Sequence, residues 1–126
     1  PHVGEMSRLT GLSAAVIKSD LVAAARNFAM EHGVVCHLKD ARSVTASENG
    51  CCYITVTGNS ALATAGSGDV LAGIIAGLTV QEDRLPAPAA AVGACIHGLC
   101  GREASRKYSR ASAAAADLLD EIAGFL

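Results

Sequence analysis

The chain has 126 residues, 51% of them hydrophobic and 17% charged, with ten basic against twelve acidic side chains and a formal net charge of −2. That balance excludes an intrinsically disordered chain. With no basic excess, 3% aromatics and no tryptophan, it also argues against a nucleic-acid partner. Much of the apolar fraction is alanine, which allows close packing but buries little surface per residue, so the expected core is tight and thin.

In chain order, Pro1 to Glu5 lacks the basic stretch and apolar run of a secretory signal. The first residue is not methionine, so a processed chain or a piece of a longer one is expected. Gly4 to Leu9 reads as a short amphipathic turn ending at Thr10-Gly11. Ser13 reads as the N-cap of a helix carrying Ala14, Ile17, Leu21, Ala24, Ala25 and Phe28 on one face and stopping at Gly33. Val34 to Leu38 reads as a buried strand. Ser43 to Ala46 and Cys51 to Val56 flank Glu48-Asn49-Gly50, a strong hairpin signal. Thr57 to Gly68 is a loop of small residues leading into Asp69 to Leu78, a helix apolar nearly all round and therefore expected to be buried. Asp83 to Pro88 is a connector, Ala89 to Lys107 an alanine-rich helix, and Ser112 or a neighbour caps a last helix running through Leu118, Leu119 and Ile122 to Leu126. The order predicts an α/β fold in a single domain spanning residues 1–126.

The longest apolar stretch, Val70 to Val80, is broken by Gly73 and Gly77 and falls short of the ~18–20 residues of a membrane span, so no membrane partner is expected. Five cysteines, an odd number, argue against a closed disulfide framework. Cys51 and Cys52 are adjacent and Cys95 and Cys100 are five apart, so neither pair has zinc-ligand spacing and no protein-held metal is predicted. A reducing, cytoplasmic setting fits this usage, and the thiols read as small core residues.

The chemistry is expected at Ala65-Gly66-Ser67-Gly68-Asp69. Glycines let the backbone approach a ligand, and the helix that follows directs its free N–H groups and positive dipole end to the same spot. Those are the parts of an anion site for a phosphate or a developing oxyanion, with Gly66, Ser67 and Gly68 as the anion hole. Asp69, in the first helical turn, reads either as a structural cap or as a general base on a hydroxyl facing that anion. The loop lacks the lysine of a Walker motif and the third glycine of a dinucleotide fingerprint. His97 on its apolar helix reads as a hydrogen-bonded core histidine, as do His37 and His32 in their elements. Arg102, Arg106, Lys107 and Arg110 read as a solvated helix end.

Gly58 to Gly73, through Gly66-Ser67-Gly68-Asp69, resembles the signature of the ADP/ATP-dependent NAD(P)H-hydrate dehydratases of the ribokinase-like superfamily. Pro1-His2-Val3-Gly4-Glu5-Met6 is similar to the family's Pro-His-Pro-Gly-Glu-Met motif, with Val3 in place of proline. Leu38 to Val44 is similar to its Leu-Lys-Gly-Ala-x-Thr segment, with Asp40 in place of glycine and Ser43 in place of threonine. His97-Gly98-Leu99-Cys100-Gly101 and Ala115 to Leu119 match the two later helices. The resemblance implies the C-terminal portion of a three-layer α/β/α sandwich, containing a β-hairpin and a helical C-terminal half. It implies dehydration of hydrated NADH or NADPH, by phosphoryl transfer to the ring hydroxyl and elimination of phosphate. Its cofactors would be ADP or ATP with magnesium bridging the phosphates. Asp69 would be the catalytic base and contact the substrate together with His2, while Lys39, Asp40, Ala41, Arg42, Ser43 and Gly68 would bind the nucleotide. A complete family domain is more than twice as long, so an unpaired sheet edge and an uncovered face are expected, filled by a homo-oligomer or by a missing N-terminal half. The alternatives are a small-metabolite kinase of the same superfamily and a non-catalytic nucleotide-binding remnant.

Overall fold

The computed structural model describes residues 1–81 and 85–126. Its contacts resolve the chain into two compact units, Pro1–Thr55 and Val56–Leu126. Part of the predicted connector, Asp83-Arg84, lies outside the described residues.

The first unit opens with α1 (Val3–Thr10), closed by Gly11 in the left-handed conformation, φ 73°. The single helix predicted from Ser13 to Gly33 is two helices, α2 (Ala14–Ser19) and α3 (Leu21–His32). Ser13 caps α2 as expected, its hydroxyl accepting the Val16 N–H. Asp20 makes the break: its backbone leaves the helical region at φ −153°, ψ 86°, and its carboxylate accepts the Ala23 N–H at 2.8 Å. A short polar side chain that can bond a nearby backbone amide favours a helix start over a helix interior. Gly33 ends α3 at φ 63°, and the His32 ring stacks on Phe28 with centroids 4.3 Å apart.

Three strands follow as an antiparallel sheet in the order β1 (Cys36–Leu38), β2 (Ser43–Ala46), β3 (Cys52–Thr55). The predicted strand from Val34 is shorter at its start, because Val34 N–H still bonds the Ala29 carbonyl in the turn that ends α3. The register aligns Cys36, Ala46 and Cys52, and next to them Leu38, Val44 and Ile54. Strand alternation therefore puts these six on one face. Cys36, Leu38, Val44 and Ala46 pack there with Met6, Ile17, Ala25 and Ala29 as the core. On the opposite face His37 Nδ1 lies 2.8 Å from Thr45 Oγ1. The Asn-Gly signal marks the hairpin correctly: Gly50 takes φ 84°, and Asn49 Oδ1 accepts from Ser47 Oγ and the Cys51 N–H. Cys36 is buried as predicted, but Cys51 is exposed at the hairpin end.

The second unit is helical. A 3-10 turn at Ser60–Leu62 precedes α4 (Ser67–Gln81), α5 (Pro86–Tyr108) and α6 (Ala115–Ile122). Pro86 occupies the first helical position of α5, where its missing N–H costs nothing. One face of α5 is kept bare so that neighbouring backbone can press against it. A Cβ on Gly93 would meet Ile75 Cγ1 at 2.8 Å. One on Gly98 would collide with Thr57 Oγ1 and meet the Gly58 nitrogen at 2.9 Å, and one on Gly101 would meet Leu62 Cδ2 at 2.5 Å. Asn59 fastens the loop to the same face: its Nδ2 donates to the Gly101 carbonyl and to Ser105 Oγ, while its Oδ1 caps the 3-10 turn at Ala61 N–H. Thr57 Oγ1 donates to the Cys95 carbonyl.

The expected all-round burial of α4 is corrected. Leu71, Ile74 and Leu78 face inward, but Ala72, Gly73, Ala76, Gly77 and Val80 are exposed, Val80 at 83%. Within this unit α5 and α6 pack against α4 and leave that stripe uncovered. Between α4 and α6 runs a groove of about 420 Å³, lined by apolar side chains including Val70, Ile74, Leu119 and Ile122, with Asp69 at its rim. The cap of α6, expected at Ser112 or nearby, lies two residues on. Ser112 bonds Ser109 instead, and Ala114 holds the cap position with its N–H donated to Asp117 Oδ2 at 2.7 Å. The basic end of α5 is solvated as predicted, with Arg106 paired to Glu103 and Lys107 to Glu121. Among the described residues no helix is long and apolar enough to cross a membrane.

Candidate active site

The predicted site residues form two clusters, one in each unit. In the first unit His2 sits at the N-cap of α1. Its Nδ1 accepts the N–H groups of Gly4 and Glu5 at 3.0 and 3.2 Å, and Glu5 Oε2 accepts the His2 N–H at 2.7 Å. This is a reciprocal capping box in which imidazole replaces the usual hydroxyl. Because Nδ1 accepts, the proton of the neutral ring is on Nε2, which remains at the surface 3.5 Å from Glu5 Oε1. Gly4 is what lets the ring fold back, since a Cβ there would sit 3.1 Å from His2 Cε1. The Glu5 carboxyl is held below its ordinary value, chiefly by the His2 backbone N–H, with the positive charges of Lys39 and the N-terminus adding to this.

Lys39 is brought beside His2 by a parallel bridge between the two residues, with the Lys39 N–H donated to the Pro1 carbonyl at 2.7 Å. The turn that follows is self-contained. Asp40 Oδ1 accepts the Ala41 N–H at 2.8 Å, and the Ser43 hydroxyl donates to the Asp40 carbonyl at 3.2 Å. Asp40, Ala41 and Arg42 are exposed at the tip, and Ser43 opens β2. Asp40, which stands where the resembling sequences carry glycine, thus directs its carboxylate into its own turn.

In the second unit Gly66 takes φ 84°, the left-handed conformation that favours glycine. It turns the chain into α4, and its carbonyl accepts the N–H groups of both Asp69 and Val70. The Ser67 N–H bonds the Thr64 carbonyl. Among the described residues the Gly68 N–H has no acceptor in the chain, and Gly68 is exposed. Asp69 is exposed beside it, and among the described residues no backbone N–H donates to its carboxylate. The turn therefore presents the Gly66 and Gly68 amides, neither with an acceptor among the described residues, and an exposed carboxylate at the positive end of a helix dipole. Ser67 does not present its hydroxyl there. The side chain is buried, with Oγ 3.0 Å from Nε2 of the equally buried His97. The reading of His97 as a buried, hydrogen-bonded core histidine holds, but composition and spacing gave no sign that a partner is the loop serine. The available signal was the pair of glycines Gly98 and Gly101, which let α5 approach this segment.

Among the described residues no three His, Cys, Asp or Glu side chains gather in a way that would hold a metal ion.

Comparison with known proteins shows what the chain is similar to. The family profile described as NAD(P)H-hydrate dehydratase matches residues 1–123. The bifunctional NAD(P)H-hydrate repair enzyme Nnr of Moorella thermoacetica is 51% identical over 120 residues, which is 95% of this chain and 22% of that protein. The ADP-dependent (S)-NAD(P)H-hydrate dehydratase of Neisseria meningitidis serogroup B is 38% identical over 125 residues, covering 98% of this chain and 36% of that one. The crystal structure of the ADP/ATP-dependent NAD(P)H-hydrate dehydratase from Bacillus subtilis, co-crystallised with ATP and magnesium, superimposes with a TM-score of 0.91 at 31% identity. It covers 99% of this chain and 45% of that one. The chain thus spans less than half the length of each of these proteins, and its α/β fold is that of the Bacillus enzyme over the matched part.

Proposed function

The chain belongs to the NAD(P)H-hydrate dehydratase family, and we propose that it is the C-terminal portion of a ribokinase-like domain that dehydrates hydrated NADH or NADPH at the expense of ADP or ATP. The observation that carries this reading is the Gly66–Asp69 turn: an exposed carboxylate beside an unpartnered amide at a helix N-terminus. A kinase-like reaction needs a base for the attacking hydroxyl and fixed donors for the transferred phosphoryl group, and this turn supplies both.

In this reading Asp69 takes the proton from the ring hydroxyl as its oxygen attacks the terminal phosphorus of the nucleotide. The bond from that phosphorus to the nucleotide breaks. Loss of phosphate, with a proton from the neighbouring carbon, then restores the ring double bond. Gly68 N–H, with the Gly66–Ser67 backbone shaping its approach, holds a phosphate oxygen. Lys39, Asp40, Ala41, Arg42 and Ser43 bind the adenine nucleotide, and His2 offers Nε2–H to the hydrated dinucleotide. Magnesium, carried on the phosphates, supplies charge neutralisation. The five free thiols support a reducing, cytoplasmic setting. The exposed stripe of α4 supports burial against the rest of such a domain or against a second copy.

The test is calorimetric titration of magnesium-ADP into the chain, followed by turnover of hydrated NADH. Saturable binding is expected, weakened about tenfold in Lys39→Ala, the size of one charge-assisted contact. Asp69→Asn is expected to retain binding while turnover falls by at least ~100-fold. An absence of nucleotide binding would overturn the reading for this chain.

A further inference from the structure

We propose that His97 is a positioning residue for the phosphate-facing turn, acting through the buried Ser67–His97 hydrogen bond. This rests on the function proposed above.

Three observations lead to it. First, Ser67 is the opening residue of α4, between Gly66, which turns the chain, and Gly68, two glycines whose N–H groups have no acceptor among the described residues. A serine at the start of a helix ordinarily turns its hydroxyl to nearby backbone or to solvent. Here Oγ lies 3.0 Å from His97 Nε2, with Ser67 4% and His97 6% exposed. The hydroxyl is turned inward, which leaves the exposed side of the turn to backbone amides.

Second, the helix that carries His97 is immobilised at that height. Gly98 lies against Thr57 and the Gly58 backbone, Gly101 against Leu62, and Asn59 bonds the Gly101 carbonyl. At 100° per residue, Gly93, His97, Gly98, Gly101 and Ser105 fall on one face of α5. Four of these positions grip the loop and α4 by close approach or by backbone and hydroxyl bonds. His97 is the one that reaches the turn with a ring nitrogen.

Third, the backbone of the turn is held lightly. The Ser67 N–H···Thr64 bond is 3.3 Å long, and the Gly66 carbonyl is shared by two donors at 3.1 and 3.2 Å. Gly66 has no Cβ to restrict it, and one placed there would meet Ala115 Cβ at 3.2 Å. A side-chain tether to a fixed helix therefore determines where the Gly68 N–H and Asp69 point. A shift of about 1 Å at such a donor is enough to lose much of its effect.

The experiment uses the whole chain with Ser67→Ala, His97→Leu, the double variant and His97→Gln, whose amide reaches the position of Nε2. Amide resonances and hydrogen-exchange rates of residues 66–69 are followed by NMR in the free protein, with thermal melting as the control for folding. Magnesium-ADP and adenosine are then titrated separately. We expect Ser67→Ala and His97→Leu to shift the Gly68 and Asp69 amides alike and to weaken magnesium-ADP about five- to tenfold, one hydrogen bond's worth. Adenosine, which does not reach the turn, should be unaffected. The double variant should be no worse than either single one, and His97→Gln should restore both readouts at an equal or lower melting temperature.

Unchanged turn amides in a folded His97→Leu protein would overturn the proposal. So would additive losses in the double variant, or a failure of His97→Gln to restore the turn. If the unmodified chain binds no magnesium-ADP, the functional reading fails by itself, and the amide comparison still decides whether His97 sets the turn.

Discussion

The two units of this chain solve the problem of a small core in opposite ways. Pro1–Thr55 fills its interior with large side chains: Met6, Ile17, Leu38 and Val44 are almost wholly buried between helices and one face of a sheet. Val56–Leu126 removes side chains instead. Its buried residues include Ala61, Ala89, Ala90, Ala94 and Ala104, and α5 meets its neighbours at Gly93, Gly98 and Gly101. The first strategy gains stability from buried area per residue, and the second from bringing backbone close to backbone. They should therefore fail differently: the first unit is damaged by deleting atoms, the second by adding them.

The largest expected effect is in the first unit. Leu38→Ala leaves a cavity beside Val44 and Ala29, all in one fully packed cluster, and should cost about 2–5 kcal/mol in urea unfolding. Gly98→Ala comes next. Its added methyl has no room beside Thr57 and Gly58 backbone, and overpacking should cost about 1–3 kcal/mol and shift the amide signals of the Thr57–Gly66 loop. The same change at Gly73, where nothing lies within 4 Å of the new Cβ, should stabilise α4 by about 0.5–1 kcal/mol, because alanine loses less backbone entropy in a helix. If Gly98→Ala proves harmless, the contrast between the units collapses; if Gly73→Ala destabilises, α4 is covered in a way the second unit alone does not show.

The smallest effect concerns pH. The Glu5 carboxyl is depressed below its ordinary 4.5 by the His2 N–H and nearby positive charge. A group whose folded pKa is lowered contributes above its unfolded pKa, and the contribution is lost as the pH falls through the folded one. Stability should therefore decline as the pH drops below about 4.5, and Glu5→Gln should flatten that decline in melting curves taken between pH 6 and 3. An unchanged slope would mean that the capping box does not couple to folding.

Legibility followed the range of the interaction. Gly11, Gly33, Gly50, Ser13 and Pro86 were readable because caps and turns depend on one residue and its near neighbours. Asp20 was missed because the apolar periodicity runs straight through it, and its competing bond to Ala23 N–H leaves no trace in that pattern. The cap of α6 was placed only loosely, at Ser112 or nearby, for a related reason. The bonding group is on Asp117, while the sequence advertised Ser112. At the candidate site, Gly66–Asp69 was evident as a glycine-rich helix start, but whether Asp69 capped the helix or faced outward was not.

The sequence by itself determined the class of fold, the hairpin at Asn49-Gly50, and the motifs that place the chain in its family. Those are properties of backbone preference and short-range pattern. Only the tertiary structure decided which way Ser67 and Asp69 point, that His97 is the partner of the loop serine, and that half of α4 is open within its unit. Each of those depends on how closely two helices approach, and the approach is set by what the glycines of α5 leave out. An absent side chain has no periodicity to read, so its consequence is visible only when the neighbouring backbone is in place.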